Sequence, residues 1–131
     1  MIKKVSHVGV IVDNLDEALK LYENLFNLKP AAVKEIMDGK IRIAFIPVGD
    51  DEIELISPID PSIPVGGLPQ TRGIHHVSFV TDDIESEVER LKKLGVLFTA
   101  ETPKIGAHGV KIIFTKPETT GGVTIELCQE S

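Results

Sequence analysis

The feature that most constrains the fold of this chain is an internal repeat. Residues 6–25 align with residues 75–94 without a gap. Within this alignment His7 matches His76, and Asp13 matches Asp82. Similarity at such a spacing indicates that a half-domain of about 65 residues has been duplicated.

Each copy of the repeat carries the apolar pattern of an amphipathic helix. Four apolar residues recur at i, i+4, i+7 and i+10, which places them on one helical face. In the first copy these are Leu15, Leu19, Tyr22 and Leu25, and in the second they are Ile84, Val88, Leu91 and Leu94. The dipeptides before them, DN and DD, are typical of helix N-caps. Each copy is therefore predicted to begin with a strand that is followed by a helix.

Short runs typical of strands follow each predicted helix. In the first copy they read AAVKEIM, KIRIAFIPV and EIELIS, and in the second VLFTA, VKIIFT and GVTIELCQ. The sequence thus predicts an α+β fold with two βαβββ modules, at about 1–58 and 74–131. A linker rich in Pro and Gly, at about 59–73, joins them within a single domain that spans residues 1–131.

Composition excludes several classes of function. The 131 residues include 42% hydrophobic and 26% charged residues, as in globular proteins. The net charge of −6 argues against a nucleic-acid partner. No apolar run is long enough to span a membrane, and the single cysteine, Cys128, suits a reducing compartment. We therefore expect a cytoplasmic protein without a membrane or nucleic-acid partner.

Two histidines and two glutamates occupy matching places in the modules. His7 and His76 lie on the first strands, and the tripeptide Ile-Glu-Leu places Glu54 and Glu126 on the last strands. Because side chains alternate along a strand, each glutamate points away from its aliphatic neighbours. If the strands share a curved mixed sheet, all four side chains can converge. Imidazoles and carboxylates suit one divalent metal such as Co²⁺, Ni²⁺, Zn²⁺ or Mn²⁺.

Four stretches resemble the vicinal oxygen chelate superfamily, and within it the methylmalonyl-CoA epimerase family. They read SHVGVIVDNLDEALKLY, RIAFIPVGDDEIELISP, GIHHVSFVTDDI and PKIGAHGVKIIFTKPETTGGVTIEL. The resemblance covers essentially the whole chain and implies paired βαβββ modules around a metal. It also places the family's metal ligands on His7, Glu54, His76 and Glu126, and leaves His75, on the opposite face, to packing or to indirect support of the ligands.

The resemblance implies an epimerase that moves the α-proton of an acyl-CoA thioester through a metal-stabilised enolate. Glu126 would serve as the base while also binding the metal. The family's second acid–base residue is a carboxylate on the third strand, where this sequence has Arg42. The second group is therefore left open.

Two other functions remain open at this point. Glyoxalase I, a lactoylglutathione lyase, belongs to the same superfamily and uses a similar metal site on a glutathione hemithioacetal. Other members of the superfamily bind small molecules such as antibiotics without catalysis. The resemblance further implies a homodimer, which would also protect the edges of the sheet.

Overall fold

The computed structural model describes residues 1–60, 62–68 and 72–130, so Pro61 and residues 69–71 of the predicted linker lie outside the described residues. The elements, in chain order, are β1 (Ile2–Ile11), α1 (Leu15–Phe26), β2 (Ala32–Ile36), β3 (Ile41–Val48), β4 (Asp51–Pro58), β5 (Gly73–Thr81), α2 (Ile84–Lys93), β6 (Lys104–Ile105), β7 (Lys111–Phe114) and β8 (Ile125–Gln129). A short 3₁₀ turn at Pro117–Thr119 precedes β8. The predicted α+β class and the repeated βαβββ order are confirmed.

The described residues form two compact units. The first unit comprises residues 7–60, 62–65 and 72–75, and its strands are ordered β2-β3-β4-β1. The second unit comprises residues 1–6, 66–68 and 76–130. Its strands are ordered β5-β8-β7-β6, and the N-terminal part of β1 lies beside β5. In both units the first and last strands of the module pair in parallel, and the remaining strands of each module pair antiparallel. The sheet is therefore mixed, as predicted.

Helix α1 covers the apolar core of the first unit. The side chain of Asn14 caps the helix by accepting a hydrogen bond of 3.0 Å from the backbone N–H of Glu17. The buried core beneath the helix consists of Leu15, Ala44, Ile46 and Leu55. Leu25, predicted on the apolar face, is 63% exposed, because the helix ends one residue later at Phe26 and the chain turns at Asn27 (φ 56°).

Helix α2 covers the apolar core of the second unit. Asp83 caps it by accepting a hydrogen bond of 3.1 Å from the backbone N–H of Ser86. The core beneath consists of Ile84, Val88, Ile113 and Leu127. Both N-caps thus lie at the predicted dipeptides. In the described part of the chain, neither helix combines the length and the apolar character needed to cross a membrane.

One strand prediction was wrong. The run VLFTA is not a strand: only Phe98 forms an isolated antiparallel bridge, with Thr115. The short edge strand β6 lies instead at Lys104–Ile105, inside a stretch that reads as a loop. The adjacent Gly106 explains the position, because a Cβ there would lie 2.5 Å from Ile112 Cδ1 on β7. This edge thus combines pairing with β7 and a glycine that leaves room for Ile112, neither of which β-propensity reveals.

Candidate metal centre

In the first unit, the buried side chains of His7 and Glu54 lie in direct contact. His7 lies on β1 and Glu54 on β4, and only 3% and 4% of their surfaces are exposed. The distance from His7 Nε2 to Glu54 Oε2 is 3.0 Å. Glu52 lies opposite His7 in the parallel register, and ligand atoms of these three residues lie within 4.8 Å of one another. Glu52 was missed in the sequence, although it shares the alternation that identified Glu54.

In the second unit, His76 and Glu126 form the matching pair. They lie on β5 and β8, with 1% and 4% of their surfaces exposed. Their ligand atoms also lie within 4.8 Å of one another. Ser78, opposite Glu126 in the register, donates a hydrogen bond of 2.6 Å to Glu126 Oε1. Each unit therefore brings together one buried imidazole and at least one buried carboxylate.

An aromatic ring supports His76 from the side. Phe114 lies opposite Glu126 on β7, and its ring packs edge-on against the imidazole with centroids 5.0 Å apart. Gly66 also packs on this ring, and a Cβ at Gly66 would lie 2.7 Å from a Phe114 carbon. Gly66 also has φ +62°, which glycine adopts without strain. The missing side chain at this glycine of the linker thus leaves room for the ring that packs against His76.

The surroundings of the pair in the first unit are apolar. The antiparallel register places Ile43 and Phe45 of β3 on the same face of the sheet as Glu54, and both are buried. In β2 the same face carries Lys34, whose ammonium lies 5.6 Å from the centroid of the Phe45 ring. Electrostatic interactions are stronger beside such side chains than in water. Lys34 was not identified in the sequence, because one lysine in a short strand carries no signal.

Arg42 lies on the other face of the sheet. It is paired with Ser57 on β4, three residues and therefore an odd number of positions from Glu54. Its guanidinium lies 3.6 Å from Asp16 Oδ1 on α1. The sequence match had put Arg42 at the position of a second acid–base residue. The alternation of β3 instead turns Arg42 toward the helix, away from the Glu54 face.

Three other residues with potential ligand atoms are placed as follows. His75 is buried and, by alternation along β5, points to the face opposite His76, as expected. Cys128 is buried, and burial raises the pKa of its thiol. His108, in the loop between β6 and β7, is exposed.

The donor set fits a borderline divalent metal. Neutral imidazoles and carboxylates are ligands that Co²⁺, Ni²⁺, Zn²⁺ and Mn²⁺ accept. Buried carboxylates are costly unless they are paired or bind a cation, which favours a charged ligand near Glu54 and Glu126. Both units therefore hold His and Glu residues that could bind a metal.

Comparisons with known proteins agree with this geometry. Residues 6–114 match the profile described as the Glyoxalase/Bleomycin resistance protein/Dioxygenase superfamily. The chain is 34% identical to the ethylmalonyl-CoA/methylmalonyl-CoA epimerase of Cereibacter sphaeroides, over 98% of this chain and 99% of that protein. It is 31% identical to the mitochondrial methylmalonyl-CoA epimerase of Homo sapiens, over 96% of this chain and 73% of that protein. The crystal structure of methylmalonyl-CoA epimerase from Mycobacterium tuberculosis superposes with a TM-score of 0.85 at 27% identity, covering 99% of this chain and 89% of that one.

Proposed function

The chain belongs to the glyoxalase/bleomycin resistance protein/dioxygenase superfamily, and we propose that it is a metal-dependent epimerase that interconverts the stereoisomers of methylmalonyl-CoA. The observation that carries this proposal is the duplicated pair of a buried histidine and a buried glutamate. Relatives that share 31% and 34% identity across nearly the whole chain are named as epimerases of this substrate, which favours it over a glutathione hemithioacetal.

The proposed ligands of one divalent metal are His7, Glu54, His76 and Glu126. Three observations support the set: the repeat aligns the two histidines, each unit pairs its histidine with a carboxylate, and all four side chains are buried. Four protein ligands leave positions for a substrate. When bound, the metal would act as a Lewis acid and stabilise the negative charge that develops on the thioester oxygen.

The side chains of this protein would carry the proton and exclude water. Glu126 would accept the α-proton of the substrate, and Ile43 and Phe45 would provide an apolar wall beside the ligands of the first unit. A second group must return a proton to the opposite side of the carbon. For that role the Glu54 face of β2, β3 and β4 offers two ionisable side chains besides Glu54 itself: Lys34 and Glu52.

Exchange of the α-proton tests the proposal directly. Methylmalonyl-CoA incubated with the protein in deuterated water should lose its α-proton signal in NMR spectra. A chelator should abolish the exchange, and Co²⁺ or a similar ion should restore it. His7→Ala and His76→Ala should each lose both the metal and the exchange. Ser57→Ala should keep both, because Ser57 donates to the backbone carbonyl of Asp13 on the other face of the sheet.

Other outcomes would identify another function or none. Full exchange in thoroughly metal-free protein would end the metal-dependent mechanism. Turnover of a glutathione hemithioacetal without exchange of methylmalonyl-CoA would identify a lactoylglutathione lyase. Absence of both activities and of bound metal would leave a binding protein. A cytoplasmic location and a homodimer stay predictions.

A further inference from the structure

The two copies of the repeat differ in the residue that lies opposite the glutamate. On β1 the residue opposite Glu54 is Gly9, and on β5 the residue opposite Glu126 is Ser78. These two positions align in the repeat, two residues after the histidines. Gly9 has no side chain with which to bind Glu54, whereas Ser78 brings a hydroxyl to Glu126. The two half-sites are thus equivalent in their ligands but not in what holds the carboxylate.

The hydroxyl of Ser78 makes a short bond to Glu126. Ser78 has no exposed surface, and its Oγ lies 2.6 Å from Glu126 Oε1. Such a distance is typical of an O–H donor to an ionised carboxylate, which is among the stronger hydrogen bonds in proteins. Ser78 Oγ also lies 3.6 Å from Cys128 Sγ. Because a hydroxyl has one proton, donation to the nearer oxygen is favoured over the more distant sulfur.

We propose that Ser78 is a positioning residue that fixes the carboxylate plane of Glu126 for proton abstraction. This inference rests on the proposed function. A base acts efficiently only when its oxygen is held close to the reactive geometry, and a single anchored oxygen restricts rotation of the whole carboxylate. Glu54, which has Gly9 opposite it and His7 at 3.0 Å, is held by an imidazole instead. The difference explains why one glutamate of the repeat serves as base and the other only as ligand.

Two variants separate positioning from packing. Ser78→Ala removes the hydroxyl and leaves the backbone and Cβ in place, while Ser78→Thr restores a hydroxyl. With Ser78→Ala, kcat for α-proton exchange of methylmalonyl-CoA should fall at least about tenfold, in line with the loss of a hydrogen bond to a charged group, while KM changes little. Ser78→Thr should recover most of the rate. Ser57→Ala, another buried serine of a strand, should lower Tm without lowering kcat.

The visible spectrum of bound Co²⁺ provides a second readout that needs no turnover. If Ser78 orients Glu126, Ser78→Ala should bind Co²⁺ but shift its absorption bands, whereas Ser57→Ala should give the wild-type spectrum. A wild-type spectrum together with wild-type kcat in Ser78→Ala would overturn the inference. The inference would also be overturned if kcat of Ser78→Ala fell only in proportion to the fraction of unfolded protein. If the wild type exchanges no α-proton with any metal, the proposed function fails, and the Co²⁺ spectra alone decide the role of Ser78.

Discussion

Replacing Glu126 by glutamine tests the base most sharply, because the substitution changes the chemistry of the site and little of its packing. Glutamine has the size of glutamate, and its amide oxygen can still accept the hydrogen bond that Ser78 donates at 2.6 Å to Glu126 Oε1. The same oxygen can still coordinate a metal, so metal binding should weaken only modestly. An amide cannot accept the substrate proton, and loss of a positioned base costs about 10²–10⁴-fold in rate. Activity should therefore fall much further than metal content.

The matched control is Glu54→Gln. It also removes one buried carboxylate, and it weakens the contact of 3.0 Å with His7 Nε2, but Glu54 is asked only to coordinate the metal and to set its charge. Its effect on exchange should therefore be milder. Both variants are loaded with the same ion, metal content is measured by atomic absorption, and α-proton exchange is followed by NMR from each stereoisomer separately.

One pattern of results would refute this assignment. If Glu126→Gln keeps near-normal exchange from both stereoisomers while Glu54→Gln is inactive, the base lies in the other module. Equal losses of metal and of activity in Glu126→Gln would mean that the residue is a ligand alone.

Three further predictions concern stability and assembly. In thermal denaturation, Gly66→Ala should lower the free energy of unfolding by about 1–3 kcal/mol more than Gly67→Ala does. Both glycines have positive φ, but only a Cβ at Gly66 would clash with the Phe114 ring. Equal losses of stability in the two variants would show that the ring moves aside. Glu87 accepts a hydrogen bond from Arg90 that holds the pKa of Glu87 below its usual value. The pair therefore stabilises the fold above the unfolded pKa of about 4.3, and this stability is lost as the pH falls through the folded pKa. Glu87→Gln should reduce the slope of the free energy of unfolding against pH in the acid range, and an unchanged slope would contradict the pairing. Light scattering at micromolar concentration should report a homodimer, and a strict monomer would contradict the family expectation.

The repeat made the larger part of the fold predictable. It located both helices with their N-caps, Asn14 and Asp83, because capping and apolar periodicity are local properties of the sequence. The edge strand β6 could not be found in this way. It depends on Gly106 packing against Ile112, a contact with another strand that no local pattern encodes.

The candidate site was likewise predictable from the sequence only in part. The four proposed ligands could be named because each is duplicated and because alternation fixes its face of the sheet. The surroundings could not: which face Arg42 takes depends on the register of β3 against β4, and the place of Phe114 beside His76 depends on tertiary packing. Lys34 became a candidate only when the pairing of β2 with β3 was known, whereas the alternation along β4 could already have identified Glu52.

Each unit has an apolar cluster of its own, Leu55 lying in one and Leu127 in the other. Substitutions without shared partners usually add in free energy. Over evolutionary time, one copy of a duplicated segment can therefore accumulate core substitutions without a compensating change in its sister copy. Gly9 and Ser78, at equivalent positions of the repeat, show that the sister copies also differ outside these clusters: beside the proposed ligands, one copy has a hydroxyl that the other does without.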